Sequence, residues 1–511
     1  QVNKSMTLDI ENQLMLYLSG SETNYRLMNL RTNPQGSYYP MNEKNQIFSQ
    51  IWRKLHHLDP DIFPVERAIL DSALFKASPF HTLTASQRTA RTTILDRIQV
   101  ALKNNQRGQL IIIQGEAGSG KTVLLSSLYY QLMTTLDKHG DVQDLVSANQ
   151  RLNAKLMVNH DQQFTVYQQI MTKLGLYTEE GDQVNKPTHY INVTSDKDED
   201  SLIDVALVDE AHLLYTQGKQ AYKGKNQLDD LLERSRVVVA VFDPYQVLAT
   251  NGYRTQTQFK ELADHAEANG NLITLTQQMR MDAGPETLQW IEDFVFNNQI
   301  DAIPQADAKN YDLQIFDSPA TLQSAIRAKN KDQEHGLSRM LATFDWPFVQ
   351  KKHPKDQKDN MWHVSIGDWS MPWNLQIKVN DKRQARRNAK LAWAEQPQTI
   401  DEVGSTFTIQ GLDLNYAGVI LGPSVGYENG QVVVHPENSA NKNATQKRSM
   451  GKKKQSVALE LLRNEVNVLL TRGVHGLYIY AVDPALRNAL MLAAASPMQS
   501  RVAESIKKLH R

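Results

Sequence analysis

The chain has no cysteine in 511 residues. That excludes disulfides, thiolate-held zinc and a cysteine nucleophile, and it is compatible with a reducing compartment. No apolar run approaches the roughly 20 residues that a membrane-spanning helix needs, and no signal peptide opens the chain. Net charge is absent too, because 56 lysines and arginines face 56 aspartates and glutamates. A chain so balanced has no global basic field, so any contact with nucleic acid must be made by local surfaces. There is no repeat of fixed period and no long low-complexity tract. The expectation is a soluble, cytoplasmic protein with no membrane contact, long enough for about three domains.

What is present begins at residues 110–122, LIIIQGEAGSGKT. Residues 110–113 read as a buried strand, and Val123, Leu124, Leu125, Leu128 and Leu132 recur at helical spacing, so a glycine-rich loop lies between strand and helix. Gly115, Gly118, Gly120, Lys121 and Thr122 have P-loop spacing. In such a loop glycines let backbone N–H groups wrap phosphates, the lysine reaches the β/γ oxygens and the hydroxyl holds Mg²⁺. ATP and Mg²⁺ are therefore the expected cofactors. Further apolar runs at 155–158, 202–208, 237–242, 419–421 and 477–480 alternate with helical patterns, the α/β signature of a parallel sheet covered on both faces. Residues 178–200 read as a polar surface excursion. Residues 351–358, 382–390 and 441–455 read as basic exposed loops, each either a nucleic-acid contact or a solvated charge run.

The run 202–208 delivers Asp209 and Glu210 to the carboxyl end of a strand, where ligands of open α/β sheets bind. Asp209 is suited to hold Mg²⁺ through water, and Glu210 to orient and deprotonate the water that attacks the γ-phosphate. The competing reading is that the acids cap the helix that follows. The next run ends in Asp243-Pro244-Tyr245-Gln246, where Gln246 can sense the γ-phosphate and Asp-Pro can build a turn. Upstream, Gln87 precedes a helix and could read an adenine edge with its paired donor and acceptor.

Taken in order, the P-loop, DEAH at 209–212, DPYQ at 243–246, LTQQMR at 275–280, TIQGLD at 408–413 and LTRG at 470–473 resemble the motif series of superfamily 1 helicases. QQMRMDAGPETLQWIEDF, SRMLATFDW, the PWN at 372–374, VGSTFTIQGLDLNYAGVILGP and LRNEVNVLLTRGVHGLYIY bring the chain closer to bacterial relatives of the Schlafen group 3 DNA/RNA helicase domain, over residues 80–490. The resemblance implies two RecA-like parallel-sheet lobes, 81–270 and 271–511, with ATP in the cleft between them. The first lobe would carry Gln87, Lys121, Thr122, Asp209, Glu210 and Gln246. The second would return Arg280 and Arg472 to the γ-phosphate as arginine fingers, with Gln410, Gly411 and Asp413 also at the nucleotide. An ordinary helix-end or carboxylate-paired arginine is the other reading of Arg472. Two positions depart from the family: Phe407 stands where a histidine is common, and Asp413 where glutamate is common. Phe407 cannot relay a hydrogen bond; Asp413 is shorter but could reach a ribose hydroxyl.

The function so implied is an ATP-dependent helicase or translocase on single-stranded DNA, with RNA as the alternative track, serving as the motor of a nuclease–helicase used against foreign DNA. A different reading is an ATP-gated switch that regulates a fused or partner effector without translocating. A protein partner or homo-oligomer is left open. Residues 3–33 resemble the C-terminal half of a GIY-YIG nuclease domain, in which Glu11 would match the metal-binding glutamate and Asn29 the late asparagine. The tyrosine-bearing strands and catalytic arginine of that family are absent and the chain does not begin with Met. Residues 1–44 are thus expected to be a partial domain without nuclease activity, α+β or helical, or else a small helical cap with Glu11 on a solvated face. In 45–80, Ile47, Phe48, Ile51, Trp52 and Leu55 have the spacing of an amphipathic helical connector.

Overall fold

The computed structural model describes residues 4–21, 27, 43–60, 62–115, 118–135, 152–176, 183–194, 202–218, 221–275, 281–304, 306–331, 336–354, 357, 359–389, 391–409, 411–450 and 453–495. Three expected site residues, Asn29, Arg280 and Gln410, lie outside this set. Contacts divide the chain into two units, Gln1–Pro244 with Asn251–Gln278 and Tyr245–Thr250 with Met279–Arg511.

The strands of the first unit are β1 (Gln109–Gly115), β2 (Ala154–Met157), β3 (Val184–Asn185), β4 (Ile203–Val208), β5 (Ser235–Phe242) and β6 (Leu272–Leu275). They form one sheet in the order β3-β2-β4-β5-β1-β6, every pairing parallel. All six residues of β4 are buried. That explains why, Asp204 apart, its residues are apolar without alternation, since helices cover both faces of a parallel sheet. Ile111, Ile113, Leu207 and Val239 point to one core, with Leu124, Leu128 and Tyr167, whereas Ile112, Ala206, Val238 and Ala240 point to the other. Because β4, β5 and β1 are parallel neighbours, the P-loop after β1 and the acid pair after β4 share one sheet edge, two strand spacings or about 10 Å apart.

The helices Lys4–Gly20, Lys44–Leu58, Glu66–Asp71 and Ala73–Lys76 precede this sheet. They share an aromatic core in which the Tyr17 ring lies 4.6 Å from Phe48, 5.1 Å from Trp52 and 5.3 Å from Phe75. Residues expected to form a partial domain and a connector are therefore packed together, and Glu11 lies on an exposed face. Gly20 permits that packing, since a Cβ there would stand 2.8 Å from Phe75 Cβ.

Along the second unit come β7 (Asp312–Ile315), β8 (Arg339–Ala342), the hairpin β9 (His363–Ile366) and β10 (Trp369–Pro372), β11 (Val403–Gly404) and β12 (Leu414–Leu421). The hairpins β13 (Val425–Glu428) with β14 (Gln431–Val434) and β15 (Arg448–Met450) with β16 (Lys453–Gln455) follow, then β17 (Gly473–Ala481). The sheet runs β11-β8-β12-β17-β7, again all parallel. Two parallel α/β units, each covered on both faces, are the two RecA-like lobes that the motif order implied.

Three expectations change. Within 178–200, the described residues 183–194 are an edge strand and the helix Pro187–Val193, because Tyr190 and Ile191 supply two buried anchors inside a polar run. Lys382–Asn388 is a helix rather than a loop. Within 441–455 lie the helix Lys442–Thr445 and the β15–β16 hairpin, and Arg448 is buried, donating to Thr250 O at 2.6 Å.

Sequence order placed Gln246 with the first lobe, but the contacts of Tyr245–Thr250 belong to the second unit. Asn464 Nδ2 donates to Val247 O at 2.9 Å, Thr250 N to Asn443 O at 2.9 Å and Gln446 to Thr250 Oγ1 at 2.9 Å. The Tyr245 ring lies 5.0 Å from Phe296.

Candidate functional site

In the first unit, β1 runs into a loop whose Gly118 and Gly120 have φ of 85° and 75°. Backbone of that hand is natural only to glycine and turns N–H groups inward. A Cβ on Gly115 would meet Ser119 Oγ at 2.5 Å and Leu275 O at 3.0 Å. Lys121 and Thr122 open the helix Lys121–Thr135. Lys121 is buried and donates to Gly115 O at 2.7 Å and to Asp243 Oδ2 at 3.2 Å. Asp243, read from sequence only as part of a turn, is thus the lysine's ionic partner.

Asp209 and Glu210 follow β4 directly. Glu210 takes a left-handed conformation, φ 49°, and its backbone N–H donates to Asp209 Oδ1 at 3.0 Å. Asp209 Oδ2 accepts from Tyr167 Oη at 2.7 Å. Burial, with the charge of Glu210 beside it, holds the Asp209 carboxyl well above the usual carboxylate range. Glu210 Oε2 lies 3.1 Å from His212 Nε2. Burial also lowers His212 below its usual value, so this imidazole is neutral at pH 7 and reads as a polar contact rather than an ion pair. Helix capping is not what the acids do: Glu210 stands at the N-cap of a short 3₁₀ turn without a side-chain cap bond. Gln87, offered as an adenine reader, has both amide atoms engaged. Its Oε1 accepts from Thr84 N in a capping box and its Nε2 donates to Ser119 O at 3.2 Å, bracing the P-loop.

A triphosphate with a hard divalent cation fits this set. The glycine cradle, one buried ammonium, the hydroxyl of Thr122 and adjacent carboxylates are its usual ligands. Among the described residues no group of three or more His, Asp or Glu side chains is placed to hold a metal ion by itself.

In the second unit, Arg472 follows the helix Ala458–Leu470 and is fully buried. Its Nε donates to Val468 O at 3.1 Å, Nη1 to Leu412 O at 3.2 Å and Nη2 to Gln246 Oε1 at 3.2 Å. Two residues expected at the γ-phosphate are thereby brought together. Asp413, expected at a ribose, turns its carboxylate toward Arg472 at 3.9 Å, and Gly411 has φ 81°. The same helix carries Glu465, whose Oε1 accepts from Phe344 N at 2.9 Å and whose carboxyl is pushed up to about 8 by burial and the charge of Asp345. Tyr167, Asp243 and Glu465 had no local sequence signal, since each meets its partner only across the fold.

A parallel sheet with a P-loop and an acid pair on one edge, followed by a second parallel sheet bearing a buried arginine, defines a helicase-type P-loop protein. Residues 108–483 match the Schlafen group 3 DNA/RNA helicase domain, and the chain belongs to that family. It is therefore a nucleic-acid helicase domain by class. An uncharacterized protein of Saccharomyces cerevisiae, YPL245W, is 33% identical over 439 residues, covering 80% of this chain and 90% of its own. Among solved structures, that of Pif1 helicases unwinding forked double-stranded DNA is similar over 84% of this chain and 97% of its own, at 8% identity and a TM-score of 0.29. No helix among the described residues is long and apolar enough to cross a membrane.

Proposed function

We propose that the chain hydrolyses ATP and uses it to move along a single strand of nucleic acid, DNA in the first instance. The observation that carries this reading is the shared sheet edge on which Lys121 follows β1 and Asp209–Glu210 follows β4. Lys121 exchanges Gly115 O and Asp243 for phosphate oxygens. Thr122 and Asp209 hold the divalent cation, which supplies charge neutralisation to the phosphates when bound. Glu210 accepts a proton from the attacking water, and Arg472 with Gln246 answers the charge that develops on the γ-phosphate. Arg280, Gln410, Gly411 and Asp413 join this set on motif order. Use against foreign DNA as part of a nuclease–helicase belongs to the same proposal and rests on the likeness of residues 3–33.

The test is steady-state ATP hydrolysis with no polymer, single-stranded DNA, duplex DNA and single-stranded RNA, with Lys121→Ala as the blank. Stimulation of tenfold or more by a single strand, about 1.4 kcal/mol of coupling, supports the motor and names its track. Turnover indifferent to all three polymers overturns it in favour of an ATP-gated switch.

A further inference from the structure

The helix Asp161–Leu174 touches two places that the sequence keeps far apart. Near its middle the fully buried Tyr167 donates to Asp209 Oδ2 at 2.7 Å. Its last turn carries Lys173, a lysine 7% exposed, whose Nζ donates to Ser19 O at 3.1 Å. Ser19 stands in the last turn of the helix Lys4–Gly20, where carbonyls have no partner within their own helix and a cation is favoured. The return bond runs from Leu27 N to Lys173 O at 2.6 Å, so the same N-terminal segment closes the end of Asp161–Leu174. All of these residues lie in the first unit.

The N-terminal side of this joint is held firmly. Ser19 Oγ donates to Leu16 O at 2.6 Å and hydrogen-bonds Ser78 Oγ at 2.7 Å, both serines are buried, and Ser72 Oγ donates to Gly20 O at 3.1 Å. On the other side Ile170, Met171 and Leu174 share one core with Tyr167, and Met15, Leu16 and Leu27 pack against it. Apolar packing alone would join two helices at less cost, since burial strips an ammonium of water. A lysine bonded to a helix-end carbonyl adds what packing lacks, a fixed register. From Lys173 back to Tyr167 is about 9 Å along the helix axis, and a close-packed interior passes a shift on rather than absorbing it. Because Tyr167 is buried, no bulk water takes the place of its phenol, and the bond to Asp209 is either kept or lost.

We propose that Lys173 is a positioning residue for the ATP site. Its tie to Ser19 holds the helix Asp161–Leu174 at the register in which Tyr167 meets Asp209, and so sets how that carboxylate faces the divalent cation. By this route the N-terminal helices are an input to ATP hydrolysis. A load that shifts Lys4–Gly20 is felt as a change in cation affinity, while the contacts of the nucleotide with Lys121 stay as they are. The proposal rests on the reading of Asp209 as the holder of the cation in an ATPase.

The experiment is ATP hydrolysis by the full chain against Mg²⁺ concentration, paired with fluorescent-nucleotide binding in chelator and with melting temperature. The variants are Lys173→Met, Lys173→Gln, Tyr167→Phe and each lysine substitution combined with Tyr167→Phe; Lys173→Gln carries the test where Lys173→Met does not fold. Leu231→Ala, in the core on the opposite face of the sheet, is the control for lost stability alone. Lys173→Met should raise the Mg²⁺ concentration for half-maximal turnover by about three- to tenfold, less than the roughly 10- to 100-fold of a group that touches the ligand itself, with nucleotide affinity in chelator unchanged. In the Tyr167→Phe background the same substitution should add nothing, since the tie acts through that phenol. Leu231→Ala should lower the melting temperature and leave the Mg²⁺ requirement alone. A Mg²⁺ requirement within twofold of the parent in the lysine variants, at whatever melting temperature, makes the joint purely structural and overturns the proposal while leaving the motor reading intact. A full shift on top of Tyr167→Phe, or an equal shift in Leu231→Ala, overturns it in the same way. A parent chain that hydrolyses no ATP at any Mg²⁺ concentration overturns both.

Discussion

Glu465 offers the sharpest test of the electrostatics. Its carboxyl is pushed up to about 8 in the folded chain, against an ordinary value of 4.5. A folded value above the unfolded one means that the native state holds the proton more tightly. The stabilisation is therefore complete below about pH 4.5 and is lost as pH rises through about 8. The full difference corresponds to about 5 kcal/mol, of which about 4 kcal/mol is lost between pH 5 and 9. For a unit of this size that is about 8–16 °C in Tm. Glu465→Gln keeps an acceptor for Phe344 N–H and cannot ionise. Calorimetric melting of the full chain without nucleotide, from pH 5 to 9, should show the parent losing about 8–16 °C more than the variant. Asp345→Asn should flatten the parent's slope in part, since the charge of Asp345 is one cause of the shift. Parallel profiles for the parent and Glu465→Gln would refute the reasoning.

Three further outcomes are expected. Gly115→Ala should disturb the P-loop, because its Cβ would stand 3.0 Å from the backbone Leu275 O and 2.5 Å from Ser119 Oγ, which would have to turn away; a fluorescent nucleotide titration should show ATP affinity reduced at least about tenfold, with about 1–3 kcal/mol of lost stability. Tyr167→Phe removes the donor to Asp209 and should raise the Mg²⁺ concentration for half-maximal turnover by about 10- to 100-fold, with unchanged binding of ATP in chelator. Arg472→Lys keeps a charge but loses the fork that reaches Val468, Leu412 and Gln246, so single-turnover hydrolysis should slow by about 10³ or more while ATP binding is preserved.

The parts of the fold legible in sequence were those where burial is continuous. β4 and β12 are buried along their whole length and β1 and β5 nearly so, and each holds an apolar run, 205–208, 419–421, 110–113 and 237–242, although Asp204 and Asn415 are buried polar residues within β4 and β12. Strand β7, Asp-Leu-Gln-Ile with no fully buried residue, has no such run and was invisible. The P-loop was legible because its chemistry is contiguous. The partners that tune the site were not, because chain distance hides them: Tyr167 lies 42 residues from Asp209, Lys121 lies 122 from Asp243, and Arg472 lies 226 from Gln246. Basic runs announced exposure correctly at Lys351 and Lys352 and wrongly at Arg448, whose guanidinium is consumed by Thr250 O.

The assignment of Tyr245–Thr250 to the second unit has a consequence in time. During synthesis, β5 is complete and its sheet can begin to assemble as soon as Phe242 has emerged, yet Val247 waits for Asn464, 217 residues further along the chain. At ordinary elongation rates of about 5–20 residues per second, that wait is about 10–40 s. For that interval the nascent first unit carries a strap whose partners have not been made. The docking of that strap is therefore timed by the ribosome's progress through the second unit, and a pause between the codons for Val247 and Asn464 lengthens the exposure of the strap without altering any contact in the finished protein.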